Sequence, residues 1–384
     1  MLTGDDTENV VSEKAQDNVS SACRTNRVTS SLLKRYPFYL IGAEVVIFLT
    51  TRLVHIKDLP IHIDEALYVT WAKCATQGNP WLSMIDGKGP LHSWSITPFF
   101  KIFSDPLRAG RMNSVVFGIL ALAAIILIGR LLLNWELGAW SGLLWVLCPF
   151  ILLYDKTAFI EGMMLSLLVI TTMFAVLAAR RGRIIYFALT GVFIGLSLWT
   201  KGTAQLLFLI VPLAYLTREP SAPPEKADES ETEQKEEQKE KDNETPLFRW
   251  IVFVIPTMLM GYGIYSLLRF SPNYARMASR SIVMSRTIPQ ILKDPLHGVS
   301  LNLHHMWNTL LNQVTLAVLI VSAIGLIGGL LLRWRPAYFL SAWLIVTLVA
   351  TALSAKQPFE RYWTVLMPPL ILGGGYAIYG VAPR

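Results

Sequence analysis

Two adjacent carboxylates, Asp64 and Glu65, stand in "IDEALY", between a long apolar run and a segment rich in Trp. Such a pair could supply a general base for a hydroxyl nucleophile, or ligands for a metal. The plainer reading makes Asp64 a helix N-cap and Glu65 a partner for the helix dipole. Further along, "MIDGKGPLHSW" sets Lys88 between Gly87 and Gly89, just after Asp86. Glycines let backbone approach a ligand closely, and a lysine at such a bend can neutralise phosphate. An ordinary loop lysine would look the same. Three more charged positions mark the ends of apolar runs. They are Glu161 in "AFIEGMMLSLL", Lys201 in "WTKGTAQLLF", and Arg361, followed by Tyr362, in "FERYWTVLMPPL". Each is weak alone; together they place acids and cations where one cavity could collect them.

The elements that must carry these residues are apolar. The chain has 384 residues, 53% of them hydrophobic and 16% charged, with mean hydropathy +0.44. This reads as an all-α polytopic membrane protein. Most of the 27 acids fall in two polar stretches, residues 1–30 and 219–244. The few left in the membrane body form the shortlist, because ionisable groups at membrane depth are costly. The net charge of +7 does not point to nucleic acid, since the basic residues are scattered among apolar runs. Cys23, Cys74 and Cys148 offer neither metal spacing nor an expected disulfide. The histidines also lack a tight ligand spacing.

A helix needs about 20 apolar residues to cross the hydrocarbon. Ten candidate spans follow: roughly 37–55, 112–133, 138–154, 161–179, 184–200, 203–217, 248–268, 306–332, 337–354 and 362–381. Arg180, Arg181, Arg183, Arg333 and Arg335 bias one side toward the cytoplasm and put both termini there. Residues 1–35 read as a disordered cytoplasmic tail and 218–247 as a charged disordered cytoplasmic loop. Between them lies an N-terminal module, 36–217, with an external loop over 56–111. Residues 248–384 supply the remaining spans and a second external loop, 269–305. Within the first loop, Leu67, Trp71 and Cys74 share one helical face, which suits an interfacial helix.

The order of these motifs resembles the GT-C glycosyltransferases, in particular the bacterial-type protein O-mannosyltransferase-like and aminoarabinose-transferase-like membrane proteins. The resemblance rests on Asp64-Glu65, "KGPLHSW" (Lys88 to Trp94), Glu161, "TKG" (Thr200 to Gly202) and "RYWTVLMPPL" (Arg361 to Leu370), in order over residues 36–381. Three departures stand out. Gly89 replaces the usual first proline, and Gly87 sits where relatives often carry an acid, with Asp86 beside it to compensate. Glu161 stands where aspartate is common. The sequence ends at Arg384 without the further spans or external domain of many relatives, which leaves open an altered acceptor site or a fragment.

The resemblance implies a GT-C-like bundle of about ten transmembrane helices in the plasma membrane, with its site on the external face. It implies a donor sugar on a polyprenyl phosphate, whose phosphate meets Lys88, Lys201, Arg361 and Tyr362. Asp64 would deprotonate an acceptor hydroxyl, with Glu65 beside it as the second catalytic acid. Asp86 and Glu161 would support the cavity, and Asp64 with Glu161 could instead hold a divalent metal. The acceptor could be a glycan, a lipid or a protein, and membrane lipids are expected partners. The rival class is a transporter or flippase of lipid-linked sugars, which should show interrupted spans near the midplane.

Overall fold

The computed structural model describes residues 35–218 and 246–381. The expected tail and the charged loop lie, but for their edges, outside the described residues. Among the described residues the fold is helical, with one isolated bridge between Ser285 and Ala355. Backbone groups in a bilayer must bond within the protein, and helices do this locally.

Helix α1 (Arg35–Leu53) leads into a chain of short elements: α2 (Ile63–Thr76), a 3-10 turn (Leu82–Asp86) and α3 (Leu91–Ile96). These pack on the start of α4 (Pro106–Leu132) and the end of α8 (Ile184–Thr200). Between the latter two run α5 (Trp135–Leu147), α6 (Pro149–Lys156) and α7 (Ile160–Arg181); α9 (Leu207–Leu213) follows. The second part comprises α10 (Pro246–Ser266), α11 (Tyr274–Met284), α12 (Ile288–Lys293), α13 (Val299–Thr309), α14 (Leu316–Leu331), α15 (Arg335–Ser354) and α16 (Met367–Val381). A 3-10 turn, Glu360–Leu366, runs directly into α16.

The chain is a multi-pass membrane protein. Among the described residues six helices are long and apolar enough to cross a bilayer, or up to eight if each of two bent pairs counts as one span. Two further apolar helices, Ile184–Thr200 and Gly202–Thr217, are shorter. Two of the expected spans are therefore broken. The expected span 138–154 bends by 69° between α5 and α6, where Pro149 lacks the N–H that a continuous helix needs. Arg52 of α1 fills the break by donating to the Val146 carbonyl at 2.9 Å, and pairs with Asp155 at 3.2 Å. The expected span 306–332 bends by 109° at Thr315, which follows a π-turn and takes φ +73°.

Helix α7 is the centre of the bundle, packed on α4 and α8. Close packing between helices supplies what the hydrophobic effect cannot supply inside lipid. At the α14–α16 crossing, a Cβ on Gly325 would lie 1.7 Å from the Gly373 carbonyl oxygen, so only glycine fits. The α7 N-terminus, the α8 C-terminus, the α2 N-terminus and the turn before α16 all meet at one end of the bundle. Arg180 and Arg181 lie at the other end of α7, which Gly182 closes with φ +63°.

Candidate active site

Helix α2 begins in a way the sequence did not suggest. Its N-cap is His62, whose Nδ1 accepts from the Asp64 N–H at 3.1 Å. Asp64 is thereby freed from capping and stands half-buried. Arg361 donates from Nη1 to its Oδ2. The same guanidinium reaches Glu161 Oε1 through Nε at 3.3 Å. Lys201 Nζ meets that oxygen at 2.5 Å. The four residues thus form one chain, Asp64–Arg361–Glu161–Lys201. Glu161 is fully buried, and its second oxygen, Oε2, accepts no hydrogen bond from the protein.

Cations crowd this chain. Gly89 explains how. Its N–H donates to the Thr200 carbonyl at 3.1 Å, and a Cβ there would lie 1.8 Å from the Trp199 oxygen. A proline has neither the N–H nor the room, so the departure from the family pattern is a packing requirement of this chain. The contact brings Lys88 close enough to Lys201 for their charges to repel. Burial pushes the Lys201 ammonium down from its ordinary value, and Lys88 and Arg361 push the same way against Glu161. Tyr362 lies under Lys201, ring centroid 5.1 Å from Nζ. Phe359 lies 4.7 Å from the Arg361 guanidinium carbon.

Glu65 is not in this chain. It is fully buried and takes Arg111 on both oxygens, at 2.7 and 2.8 Å. Its Oε1 also accepts from the Ala158 N–H at 2.8 Å. Arg111 spends its other donors on the Ile56 and Leu59 carbonyls. The expected catalytic pair is therefore split: successive residues at a helix start point about 100° apart. The buried stripe of α2 is Glu65, Tyr68, Val69 and Ala72, joined by Trp71. Leu67 and Cys74 of the expected face are only half-buried. That expectation counted apolar residues alone and passed over a buried carboxylate. Asp86 stands exposed at the end of its 3-10 turn.

Two further residues belong here: Tyr68, which the sequence reading passed over, and His92, which it weighed only as a metal ligand. Tyr68 is buried one turn after Asp64, and burial, with the charges of Glu161 and Asp64, pushes its phenol well above the usual range. Its spacing of four from Asp64 was the available signal. His92, fully buried, places Nε2 3.2 Å from the Ala158 carbonyl. Burial holds its pKa down to about 4, so the ring is neutral and Nε2–H donates.

A divalent metal does not suit this donor set. Among the described residues no group of three or more His, Cys, Asp or Glu comes together. Asp64 and Glu161 are bridged by Arg361, a cation of the protein itself.

Residues 87–223 match the family model described as dolichyl-phosphate-mannose-protein mannosyltransferase. No curated protein compared with the chain matches it. Among solved structures, ArnT from Cupriavidus metallidurans bound to undecaprenyl phosphate superposes with TM-score 0.62 and 14% identity, covering 91% of this chain and 61% of that one. The archaeal oligosaccharyltransferase AglB from Archaeoglobus fulgidus, in complex with an inhibitory peptide and a dolichol-phosphate, gives TM-score 0.56 and 12% identity over 91% of this chain and 50% of its own. The chain shares its fold with these two structures. The chain spans between half and two thirds of the length of these GT-C structures.

Proposed function

We propose that the chain is a membrane glycosyltransferase that moves a sugar from a polyprenyl-phosphate donor to an acceptor hydroxyl. The observation that carries this is the Asp64–Arg361–Glu161–Lys201 chain at one end of a GT-C bundle, with Lys88 near enough to repel Lys201. Three cations, Lys88, Lys201 and Arg361, face two carboxylates, Asp64 and Glu161, which leaves the site short of one anion. A lipid phosphate supplies one. The lipid-bound ArnT and AglB structures support that choice.

In this reading the donor phosphate sits by Lys88 and Lys201 and draws Arg361 away from Asp64. Losing its counter-charge makes Asp64 a better base. Asp64 then takes the proton from the acceptor hydroxyl. The acceptor oxygen bonds to the anomeric carbon, and the bond from that carbon to the phosphate oxygen breaks. The phosphate leaves with the electron pair, and the three cations stabilise its growing charge. Glu161 Oε2 is free to accept from a sugar hydroxyl. Glu65 acts through its grip on α2, holding Asp64 in place.

The network end faces outward in this proposal, because Arg180, Arg181, Arg183, Arg333 and Arg335 cluster toward the opposite end. Both termini are then cytoplasmic and the membrane is the plasma membrane. The transporter reading expects interrupted helices that hold substrate near the midplane. The described residues hold two interrupted pairs, but Arg52 plugs the first break and the polar network sits at helix ends.

The test is turnover by the protein in nanodiscs with a panel of polyprenyl-phosphate sugars and a membrane extract as acceptor source. Wild type should release lipid phosphate, and Asp64→Asn should slow release about 10²–10⁴-fold at unchanged melting temperature. Movement of lipid-linked sugar across vesicles without any turnover would transfer the chain to the transporter class.

A further inference from the structure

Arg361 also lines a cavity of about 460 Å³ on its other flank. The walls come from four separate segments: the loop before α2, the α6–α7 junction, α13, and the turn before α16. Three aromatic rings contribute, Tyr154, Phe159 and Phe359. Two imidazoles do as well, and their tautomers follow from their partners. Nδ1 of His62 accepts from the Asp64 N–H at 3.1 Å. Nδ1 of His305 accepts from Trp363 Nε1–H at 3.3 Å. A neutral imidazole that accepts at Nδ1 carries its proton at Nε2. Each histidine therefore offers the cavity one N–H donor. Glu360 adds a carboxylate, fixed by a hydrogen bond from Gln313 Nε2.

Aromatic walls with a few fixed donors and one acceptor are complementary to a polyol with apolar ring faces. Hydroxyl groups both give and accept, so they can answer the histidines and Glu360 together. The volume lies in the ordinary range for small-molecule pockets, about 300–1,000 Å³. His62 ties the cavity to the Asp64 backbone, while Lys88 lies with Lys201.

We propose that this cavity is the acceptor subsite and that the acceptor is a pyranose unit of a glycan. The inference rests on the glycosyltransferase reading and narrows its acceptor class. Arg361 then divides the two substrates, phosphate on the lysine flank and acceptor sugar on the histidine flank.

Saturation-transfer NMR on the protein in nanodiscs tests it, with methyl hexopyranosides and short disaccharides as probes. A serine-containing hexapeptide and a short-chain phospholipid serve as comparison probes. At least one glycoside should bind wild type. Pro60→Trp, which fills the cavity mouth from an exposed position, should abolish the signal. Glu360→Gln should weaken binding roughly tenfold, the usual loss for a hydrogen bond to a charged group. No glycoside binding, binding untouched by both substitutions, or binding of the peptide or phospholipid instead would each overturn the assignment. Donor turnover by wild type with a membrane extract as acceptor source, and no added glycoside, reports separately on the glycosyltransferase reading. Turnover without glycoside binding would sink the acceptor subsite alone, and absence of both would sink the two together.

Discussion

Two ionic centres lie side by side at one end of this molecule, built from adjacent residues of one helix. Around Glu65 every bond is closed. Arg111 gives two hydrogen bonds to the carboxylate and two to backbone carbonyls, and the Ala158 N–H adds another. Both side chains are fully buried. Around Asp64 nothing is closed. Arg361 is shared between two acids, Glu161 keeps a bare oxygen, and two lysines repel each other. A satisfied buried network fixes a structure, and a half-satisfied one is costly unless something binds there. The first centre is built to hold the chain in place; the second is the one the proposed function assigns to substrate.

The sharpest way to break the comparison is to remove the closed centre. Arg111→Met leaves Glu65 buried and uncompensated, which costs about 3–5 kcal/mol. The expected outcome is a large fall in melting temperature or loss of folded protein in nanodiscs. Asp64→Asn, on the neighbouring residue, should lose turnover and keep the fold. If Arg111→Met folds normally and Asp64→Asn does not, the assignments of the two centres are reversed.

His92 sharpens it next. Its Nε2–H donates to the Ala158 carbonyl while Glu65 holds the Ala158 N–H, so one peptide is clamped from both sides. Glu161 follows three residues later. The imidazole pKa falls from 6.5 to about 4 on folding. The unfolded chain therefore binds the proton more readily, and stability declines as pH drops from about 6.5 towards 4. A shift of this size corresponds to about 3 kcal/mol at full protonation. Unfolding followed between pH 7 and pH 4 should show the decline. His92→Gln, which keeps a donor and cannot titrate there, should flatten it.

Gly89 probes the open centre alone. Any Cβ there pushes the loop off Trp199 and separates Lys88 from Lys201. Gly89→Ala should reduce donor turnover about 10²-fold, the usual effect of a misplacement near 1 Å. Melting temperature should change much less than in Arg111→Met. Equal losses in both would mean that the lysine pair is only a structural contact.

The open centre was largely legible in the sequence and the closed one was not. Asp64, Glu161, Lys201 and Arg361 stand at the ends of apolar runs, where ionisable groups are costly, and Tyr362 follows Arg361. The structure brings all five together, with Lys88 beside them. Glu65 looked like a second catalytic acid because adjacency in sequence says nothing about which way a helix turns each side chain. Nothing local marks Arg111, because its partner lies 46 positions away. Helix breaks were hidden for the same reason. The stretch around Pro149 is apolar throughout, and the group that makes its bend tolerable is Arg52 on another helix. Hydropathy marks where helices run, whereas bends and pairings depend on partners distant in sequence.

A third pair supplies the surface control for this comparison. Lys57 and Asp105 meet at 2.6 Å, with side chains about half and a third exposed. Asp105 also caps α4, accepting from the Leu107 and Arg108 N–H groups. The Lys57 hydrogen bond first, and then those N–H groups, hold its carboxyl below the ordinary value of 3.8 against the opposing effect of burial. The folded chain thus releases this proton more readily than the unfolded one. The resulting stability is present above pH 4 and fades as pH falls through the lowered value. Solvent screening makes the ion pair itself worth little, so the cap dominates. Asp105→Ala should cost about 1 kcal/mol, and Lys57→Met less. Calorimetry on both variants checks the ranking. If Lys57→Met rivals Arg111→Met, then charge proximity alone decides stability, and the contrast between a closed and an open centre loses its physical basis.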